Sequence, residues 1–249
     1  MKKKGSEELY IYGKNPVSEA VKNELRVKRL MIEQRQLDGK YNELIKIARS
    51  KNIHIDTVSE QSIAKKLGRG IKHQGVMAVL EEFKYSELED ILKKGKKNKP
   101  QCIVITDHVQ DPQNLGVIIR NAAAFGADAV LIPRANQVGI TSGVVKASAG
   151  IVFSVPIVRI ANVRDTMEKM KREKFWIIGL DGDGDKELAK LDLSGNIVFI
   201  AGAEGAGISK LVCEHCDFVA HIPIAKEVES LNVASSTAIA MYEWRKQNS

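Results

Sequence analysis

The chain has 249 residues and a mass of 27.5 kDa, which corresponds to one large domain or two small ones. Hydrophobic residues make up 44% and charged residues 28%, which excludes a disordered chain, a collagen-like chain and a disulfide scaffold. The formal charge is +7 and is uneven: residues 1–100 hold 23 lysines and arginines against 14 acidic residues, whereas residues 101–249 hold 15 against 17. A basic first part beside a nearly neutral second part indicates that the first part attracts a polyanion.

Cysteine usage and hydropathy indicate where the protein works. The chain has three cysteines, and no apolar stretch approaches the roughly 18 residues that a membrane-spanning helix needs. We therefore expect a cytosolic protein with reduced thiols and without a membrane partner. Aromatic residues make up only 5%, which disfavours a surface built mainly from base-stacking rings.

The first part of the chain, residues 8–83, alternates short apolar runs with amphipathic stretches, which predicts a small α/β domain. Its basic residues fall into two groups, Lys22, Arg26, Lys28 and Arg29, then Lys65, Lys66, Arg69, Lys72 and His73. Each group is either a solvated charged surface or a contact to RNA phosphates. The glycines on both sides of Arg69 favour RNA contact for the second group, because a flexible cationic loop suits a phosphate backbone.

The second part of the chain, residues 84–249, has a different pattern of apolar and charged residues. Residues 84–100 read as a charge-segregated helix and a lysine-rich stretch that ends at Pro100, which we interpret as a linker. From residue 101 to 249, continuous valine and isoleucine runs alternate with helices. This pattern is typical of a parallel sheet covered on both faces, and it predicts an α/β catalytic or ligand-binding domain.

Three polar loops follow predicted strands of this second domain, at residues 107–116, 202–207 and 222–232, and the first two contain glycine. Ligands of open α/β sheets bind at the carboxyl ends of strands, so these loops are the candidate site. The glycines of the second loop are spaced GxxGxG, not GxGxxG, which argues against a Rossmann nicotinamide site. That loop is either a tight turn with a solvated Glu204 or a place where backbone approaches a ligand closely.

Individual residues of these loops allow a structural and a functional interpretation. Asn114 is either the N-cap of a helix or a site residue. Arg120 lies in an almost wholly apolar helix, so its guanidinium either extends to the surface or is held in the site as a rigid donor. Ser230 and Asn232 flank the start of the last helix, where capping explains only one of them.

Three other patterns are weaker signals. Cys213 and Cys216 have CxxC spacing, but no second pair completes a zinc site, so we expect reduced structural cysteines and no bound metal. Residues 181–185 resemble the start of a calcium loop, but Lys186 stands where that loop needs glycine, which predicts a solvated turn. The five histidines form no triad spacing with a nucleophile.

Taken together, the three loops closely resemble the three motifs of the SpoU/TrmH family of RNA ribose 2′-O-methyltransferases. The matching residues are Asp111-Pro112-x-Asn114-x-Gly116 with Arg120, then Gly202-x-Glu204-Gly205-x-Gly207, then Ile222-Pro223 followed by Ser230-Leu231-Asn232-Val233-Ala234. The first part opens with Tyr12-Gly13-x-Asn15-Pro16-Val17-x-Glu19-Ala20. This opening resembles the substrate-binding domain of the RlmB-like branch, which is similar in fold to certain RNA-binding ribosomal proteins.

The resemblance implies a fold, a cofactor and an assembly. It implies a trefoil-knotted SPOUT-type α/β domain with a parallel sheet, preceded by a small α/β RNA-binding domain, and a homodimer formed through the knotted domain. S-adenosylmethionine is the implied cofactor. The implied cofactor-binding residues are Gly202, Ala203, Ile222, Pro223, Leu231 and Asn232, and the implied catalytic residues are Asn114, Arg120, Glu204, Ser230 and Asn232.

The resemblance leaves the role of Arg120 and the substrate open. Within the family, Arg120 is expected to assist deprotonation of the ribose hydroxyl; alternatively it binds a substrate phosphate and stabilises developing negative charge. The last helix carries no basic extension, unlike tRNA-acting relatives, which favours a guanosine of 23S ribosomal RNA as substrate. Alternatives are a tRNA guanosine methyltransferase, a non-catalytic RNA-binding protein and a Rossmann-like nucleotide enzyme.

Overall fold

The computed structural model describes residues 9–22, 27–37, 39–68, 70–80, 83–95, 99–203, 205 and 207–249. These residues form two compact units. The first consists of the chain up to Lys84 together with Ile140–Ser154, and the second of Tyr85–Gly139 together with Val155–Ser249.

The first unit is a four-stranded sheet with three helices. Its elements are β1 (Leu9–Tyr12), α1 (Lys14–Lys22), β2 (Val27–Glu33), α2 (Asn42–Ser50), β3 (His54–Val58), α3 (Glu60–Leu67) and β4 (Val76–Leu80). The strand order is β1-β4-β2-β3, in which β4 is antiparallel to both neighbours and β2 is parallel to β3. Every residue of the central strand β4 is buried, so this apolar strand is the centre of the core.

The remaining elements follow in chain order. They are α4 (Leu88–Gly95), β5 (Cys102–Thr106), α5 (Pro112–Phe125), β6 (Ala129–Pro133), α6 (Ser142–Ala147), β7 (Ile157–Ile160), α7 (Val163–Arg172), β8 (Trp176–Leu180), β9 (Lys186–Glu187), β10 (Ile197–Ala201), α8 (Lys210–Cys213), β11 (Phe218–His221) and α9 (Val233–Gln247). All of these except α6 belong to the second unit.

The second unit is a seven-stranded parallel sheet with the order β7-β6-β5-β10-β8-β11-β9. Strands β5, β6 and β10 are buried along their whole length, which is why they read as continuous apolar runs in the sequence. The predicted α/β class with a parallel sheet is confirmed.

Two segments lie elsewhere than the sequence pattern suggests. Residues 140–154 pack with the first unit, because Gly150 lies so close to α1 that a Cβ there would be 3.1 Å from Cα of Pro16. The stretch interpreted as a linker, residues 84–100, contains α4, whose Leu88 and Ile91 are buried in the core of the second unit. A helix with segregated charges can lie in a linker or pack its apolar face into a domain core. The charge pattern alone therefore does not distinguish a linker from part of a domain.

Helix α9 packs along α5 and β10, and its C-terminal end is fixed to the loop before β10. The indole N–H of Trp244 donates to the carbonyl of Gly195 at 3.2 Å, and the side-chain amide of Asn248 donates to the carbonyl of Leu193 at 3.0 Å. The C-terminal end of α9 is therefore held in a fixed position relative to the sheet.

No helix in the described part of the chain is both long and apolar enough to span a bilayer.

Candidate active site

The order of the second sheet brings the polar loops together. Strands β5, β10, β8 and β11 are consecutive neighbours and run parallel, so the segments that follow them emerge at one edge of the sheet. Two clefts open at that edge. They share a ridge formed by Ala203 and Gly207, with Val233 lining both.

The first cleft has a volume of about 550 Å³ and lies between the segment after β5 and the start of α5. His108, Asp111, Asn114 and Ser209 line it together with the shared ridge. The second cleft has a volume of about 410 Å³ and lies between the segments that follow β8, β10 and β11. Both volumes fall within the range of about 300–1,000 Å³ that is usual for small-molecule sites.

The loop after β10 folds back on itself, and only glycine permits this path. The backbone N–H of Ala203 donates to the carbonyl of Gly207 at 2.8 Å, and the N–H of Gly207 donates back at 3.0 Å. A Cβ on Gly202 would lie 2.2 Å from the carbonyl carbon of Gly207. Gly205 and Gly207 have φ values of +81° and +65°, a region that residues with a Cβ rarely occupy.

Two carboxylates from neighbouring strand ends hold this loop. Asp107, which follows β5 and is buried, accepts a hydrogen bond from the N–H of Ser209 at 3.0 Å. Asp181, which follows β8, accepts a longer one from the N–H of Ile208 at 3.4 Å. Because Asp181 is partly buried and lines the second cleft, the solvated turn expected at residues 181–185 is wrong for its first residue.

His108 occupies a strained position beside Asp107. Its φ is +62°, and its Nδ1 lies 2.7 Å from Oδ1 of Asp107. A carboxylate only accepts hydrogen bonds, so this contact turns the Nδ1 side of the ring toward Asp107. The candidate loop at residues 107–116 includes His108, but sequence reasoning gave this histidine no role. It missed Asp181 as a cleft residue, although the strand-end rule that selected the other loops applies equally to it.

Asn114 and Asn232 are brought together from positions far apart in the sequence. The Nδ2 of Asn232 donates to Oδ1 of Asn114 at 2.8 Å, while Oδ1 of Asn232 accepts from the N–H of Ala234 at 2.9 Å and so caps α9. The N-cap interpretation of Asn114 is wrong, because Asp111 caps α5 and Asn114 lies buried within its first turn.

The other predicted residues divide into three groups. Gly202, Ala203, Ile222, Ser230 and Leu231 line the second cleft, whereas Pro223 is exposed beside it. Arg120 is exposed on α5, lines neither cleft, and forms no ion pair or hydrogen bond with any described residue. Glu204 lies outside the described residues.

The CxxC pair, Cys213 and Cys216, lines neither of the two clefts. Cys213 and Cys216 are free thiols, and burial raises the pKa of Cys216 to about 12, which keeps it protonated at neutral pH. Cys216 packs under Gly179 of β8, where a Cβ would be 3.0 Å from its sulfur. Within the described residues, no three histidine, cysteine or carboxylate side chains are grouped so that they could hold a metal ion.

Comparison with known proteins identifies the family. A model of the SpoU rRNA methylase family matches residues 101–242, and a model of the RNA 2′-O ribose methyltransferase substrate-binding domain matches residues 10–86. The chain belongs to the SpoU family. It is therefore an RNA methyltransferase of the SpoU/TrmH type, and S-adenosylmethionine is the methyl donor that this family uses.

Relatives of this SpoU methyltransferase match over nearly its whole length. YacO of Bacillus subtilis, assigned to the TrmH family of tRNA/rRNA methyltransferases, is 35% identical over 243 residues, which are 96% of each chain. The SpoU methyltransferase AviRb from Streptomyces viridochromogenes, crystallised with S-adenosylmethionine, has a TM-score of 0.83 and 25% identity over 96% of this chain and 90% of its own. An rRNA methyltransferase from Sinorhizobium meliloti, also with this cofactor bound, has a TM-score of 0.80 and 26% identity over 96% and 87%.

The second cleft of this SpoU methyltransferase fits such a donor. Gly202 and Gly207 belong to the tightly folded loop that forms one wall of the cleft, so this wall is fixed before a ligand binds. Leu180, Ile222 and Leu231 supply apolar surface, suited to an adenine ring. Asp181 and Glu229 add carboxylates, which favour a ligand that carries positive charge and hydroxyl groups.

Two glycines of this cleft give a matched test of the loop geometry. Gly202→Ala forces a Cβ into the backbone of Gly207, and we expect it to lower the free energy of unfolding by about 1 to 3 kcal/mol and to weaken donor binding at least about tenfold. Gly182 lines the same cleft but has nothing within 4 Å of an added Cβ, so Gly182→Ala should change neither quantity appreciably. Thermal unfolding and calorimetric titration with S-adenosylmethionine measure both effects. Equal behaviour of the two variants would refute the steric account of the loop.

Proposed function

We propose that the chain transfers a methyl group from S-adenosylmethionine to the ribose 2′-hydroxyl of a guanosine in 23S ribosomal RNA. The observation that carries this proposal is the pairing, in one chain, of a SpoU rRNA methylase match with a 2′-O-ribose substrate-binding match, each covering its own part of the chain. The likeness to rRNA methyltransferases over 96% of the chain supports ribosomal RNA as the substrate.

We assign the methyl donor to the second cleft, held by the backbone and apolar surface of Gly202, Ala203, Ile222 and Leu231, with Pro223 beside them. The bound donor supplies a methyl group on a cationic sulfur. Ser230 lines the same cleft and offers a hydroxyl toward the ligand. Asn232 is assigned to both sites, since its amide joins the start of α9 to Asn114.

The ribose hydroxyl is assigned to the first cleft. Asn114 lines this cleft, and its fixed hydrogen bond with Asn232 orients its amide. Glu204 is assigned a catalytic role from the motif alone. The protein's task is therefore to hold the hydroxyl in line with the methyl group and to remove its proton.

Arg120 is assigned to the RNA phosphate beside the reacting nucleotide. Its guanidinium is exposed and unpaired among the described residues, so it is free to bind an anion and to stabilise negative charge that develops on the ribose oxygen. A guanidinium holds its protons strongly, which makes it a poor proton acceptor. His108 lines the first cleft and its ring is oriented by Asp107, so we assign it the role of taking the proton.

The proposal includes a knotted fold and a homodimer formed through the knotted domain. The knot is supported by the order β5-β10-β8-β11 and by the return of α9 to pack on α5. The dimer is supported by large apolar side chains that these two helices expose, namely Val117, Ile239 and Tyr242. Exposed apolar groups on adjacent helices are typical of an interface.

Replacement of Arg120 separates its role from donor binding. Arg120→Ala should lower the rate of methyl transfer by about a hundredfold or more, because one charged donor to the transition state is lost. The affinity for S-adenosylmethionine should stay within about twofold of wild type. Single-turnover transfer from tritiated donor and calorimetric titration measure the two quantities. Loss of donor affinity in the variant would contradict the assignment.

Replacement of His108 tests the proton acceptor. His108→Gln keeps a hydrogen-bonding side chain but removes the imidazole, and we expect methyl transfer to slow by about a hundredfold with donor affinity unchanged. An unchanged rate at neutral pH would mean that water or an RNA phosphate takes the proton.

The substrate is tested by transfer of a tritiated methyl group to separated ribosomal and transfer RNA. We expect label in 23S RNA and, after nuclease digestion and mass spectrometry, a single 2′-O-methylguanosine. Label confined to transfer RNA would establish the tRNA alternative. Donor binding without transfer to any RNA would support a non-catalytic RNA-binding role instead.

A further inference from the structure

The motif that opens the first unit has no part in the catalytic clefts. Its residues from Lys14 onward form the start of α1, and they line a cavity of about 250 Å³ that opens between α1 and α2 within that unit. The opposite wall comes from the start of α2 and the turn before it. A motif that lines its own cavity has a role beyond packing one helix on a sheet.

Gln74 holds the two walls of this cavity together. The backbone N–H of Lys14 donates to Oε1 of Gln74 at 2.9 Å, and the hydroxyl of Tyr41 donates to the Gln74 carbonyl at 2.6 Å. Gln74 itself has a φ of +57°, an unusual conformation that these contacts hold in place. The cavity is therefore preformed, and a ligand need not order it.

The rim of the cavity is positively charged. Lys14, Lys22 and Lys40 line it and are exposed, and among the described residues none of the three forms an ion pair. The ammonium of Lys40 lies 5.5 Å from the ring centroid of Tyr41, which directs it over the cavity floor. Among the other basic residues predicted to contact RNA, Arg29 pairs with Asp56 at 3.6 Å and the ammonium of Lys66 lies 5.3 Å from the ring centroid of Tyr10.

The rest of the lining is mixed in a way that suits a nucleotide. The floor contains the buried side chains of Tyr41 and Leu44, while Asn15 and Ser18 add neutral hydrogen-bonding groups. Two carboxylates, Glu19 and Glu43, also line the cavity. Carboxylates repel a free phosphate ion, but they accept hydrogen bonds from base amino groups and ribose hydroxyls.

We infer that this cavity binds a phosphate and its adjoining nucleotide in an unpaired segment of the substrate RNA. The lysines neutralise the phosphate, and the carboxylates and amides contact the sugar and base edges. The inference rests on the proposed function, since it takes RNA as the substrate. It places an RNA site in the first unit apart from residues 65–73, the group for which the sequence favoured RNA contact.

The decisive test compares two double variants that remove the same charge. Lys14→Ala/Lys40→Ala removes two rim ammoniums, whereas Lys46→Ala/Lys84→Ala removes two exposed lysines of the same unit that do not line the cavity. Binding to 23S RNA is measured over a series of salt concentrations. The cavity variant should lose about tenfold in affinity, and its dependence of log Kd on log salt should flatten by about one unit or more. The control should stay within about twofold. Equal losses in both would overturn the inference.

A neutral variant tests the geometry without a change in charge. Gln74→Asn tolerates the left-handed backbone but is too short to hold the N–H of Lys14. We expect weaker RNA binding with an unchanged salt slope, because the ammoniums remain but are no longer positioned. Wild-type affinity in this variant would contradict a preformed site.

Two further measurements distinguish failure of the RNA site from failure of the proposed function. Inorganic phosphate, at matched ionic strength, should not displace the RNA; displacement would identify a simple anion site and overturn the nucleotide assignment. Methyl transfer by the wild-type protein is measured on the same RNA. If the wild type transfers no methyl group but the cavity variant still loses affinity, the proposed function fails while the RNA site stands. If transfer occurs and the cavity variant binds like its control, only the site fails.

Discussion

The architecture of the active site depends on one steric constraint, the contact between the backbones of Gly202 and Gly207. A Cβ on Gly202 would lie 2.2 Å from the carbonyl carbon of Gly207. The loop can therefore fold into a ridge only because residue 202 has no Cβ. The ridge separates the two clefts and is held from the neighbouring strand ends by Asp107 and Asp181. We assign donor and ribose hydroxyl to the two clefts beside this loop, and in-line transfer requires the reacting atoms to meet where the clefts adjoin, at Ala203, Gly207 and Val233.

The same edge of the sheet is stabilised from the C-terminal helix. Asn232 caps α9 with one amide atom and bonds Asn114 with the other, so the segment after β11 and the start of α5 are fixed by a single side chain. The far end of α9 is anchored by Trp244 to the loop before β10. A helix fixed at both ends cannot shift without moving the cleft residues that precede it, which couples the stability of α9 to the order of the site.

The sequence allowed the sheet and its site edge to be predicted, because buried parallel strands leave a continuous Val/Ile pattern and ligands bind where such strands end. It did not distinguish Asn114 from an N-cap, since Asp111 before Pro112 is an equally good capping position and only coordinates show which is used. Asp181 was missed because its acidic neighbours were compared with a calcium loop, not with the end of β8. The packing of residues 140–154 on α1 depends on contacts between distant segments, which no local pattern records.

The charge asymmetry of the chain follows from what the two units bind. The catalytic clefts are lined by carboxylates, including Asp111, Asp181 and Glu229, and the part of the chain that forms them holds 15 basic against 17 acidic residues. Such a lining favours a cationic methyl donor but repels an RNA backbone. We therefore expect affinity for RNA to come mainly from elsewhere, and the lysines around the cavity of the first unit carry the opposite charge. Removing charge from that cavity should then weaken RNA capture and leave donor binding intact, a separation that a uniformly basic enzyme could not show.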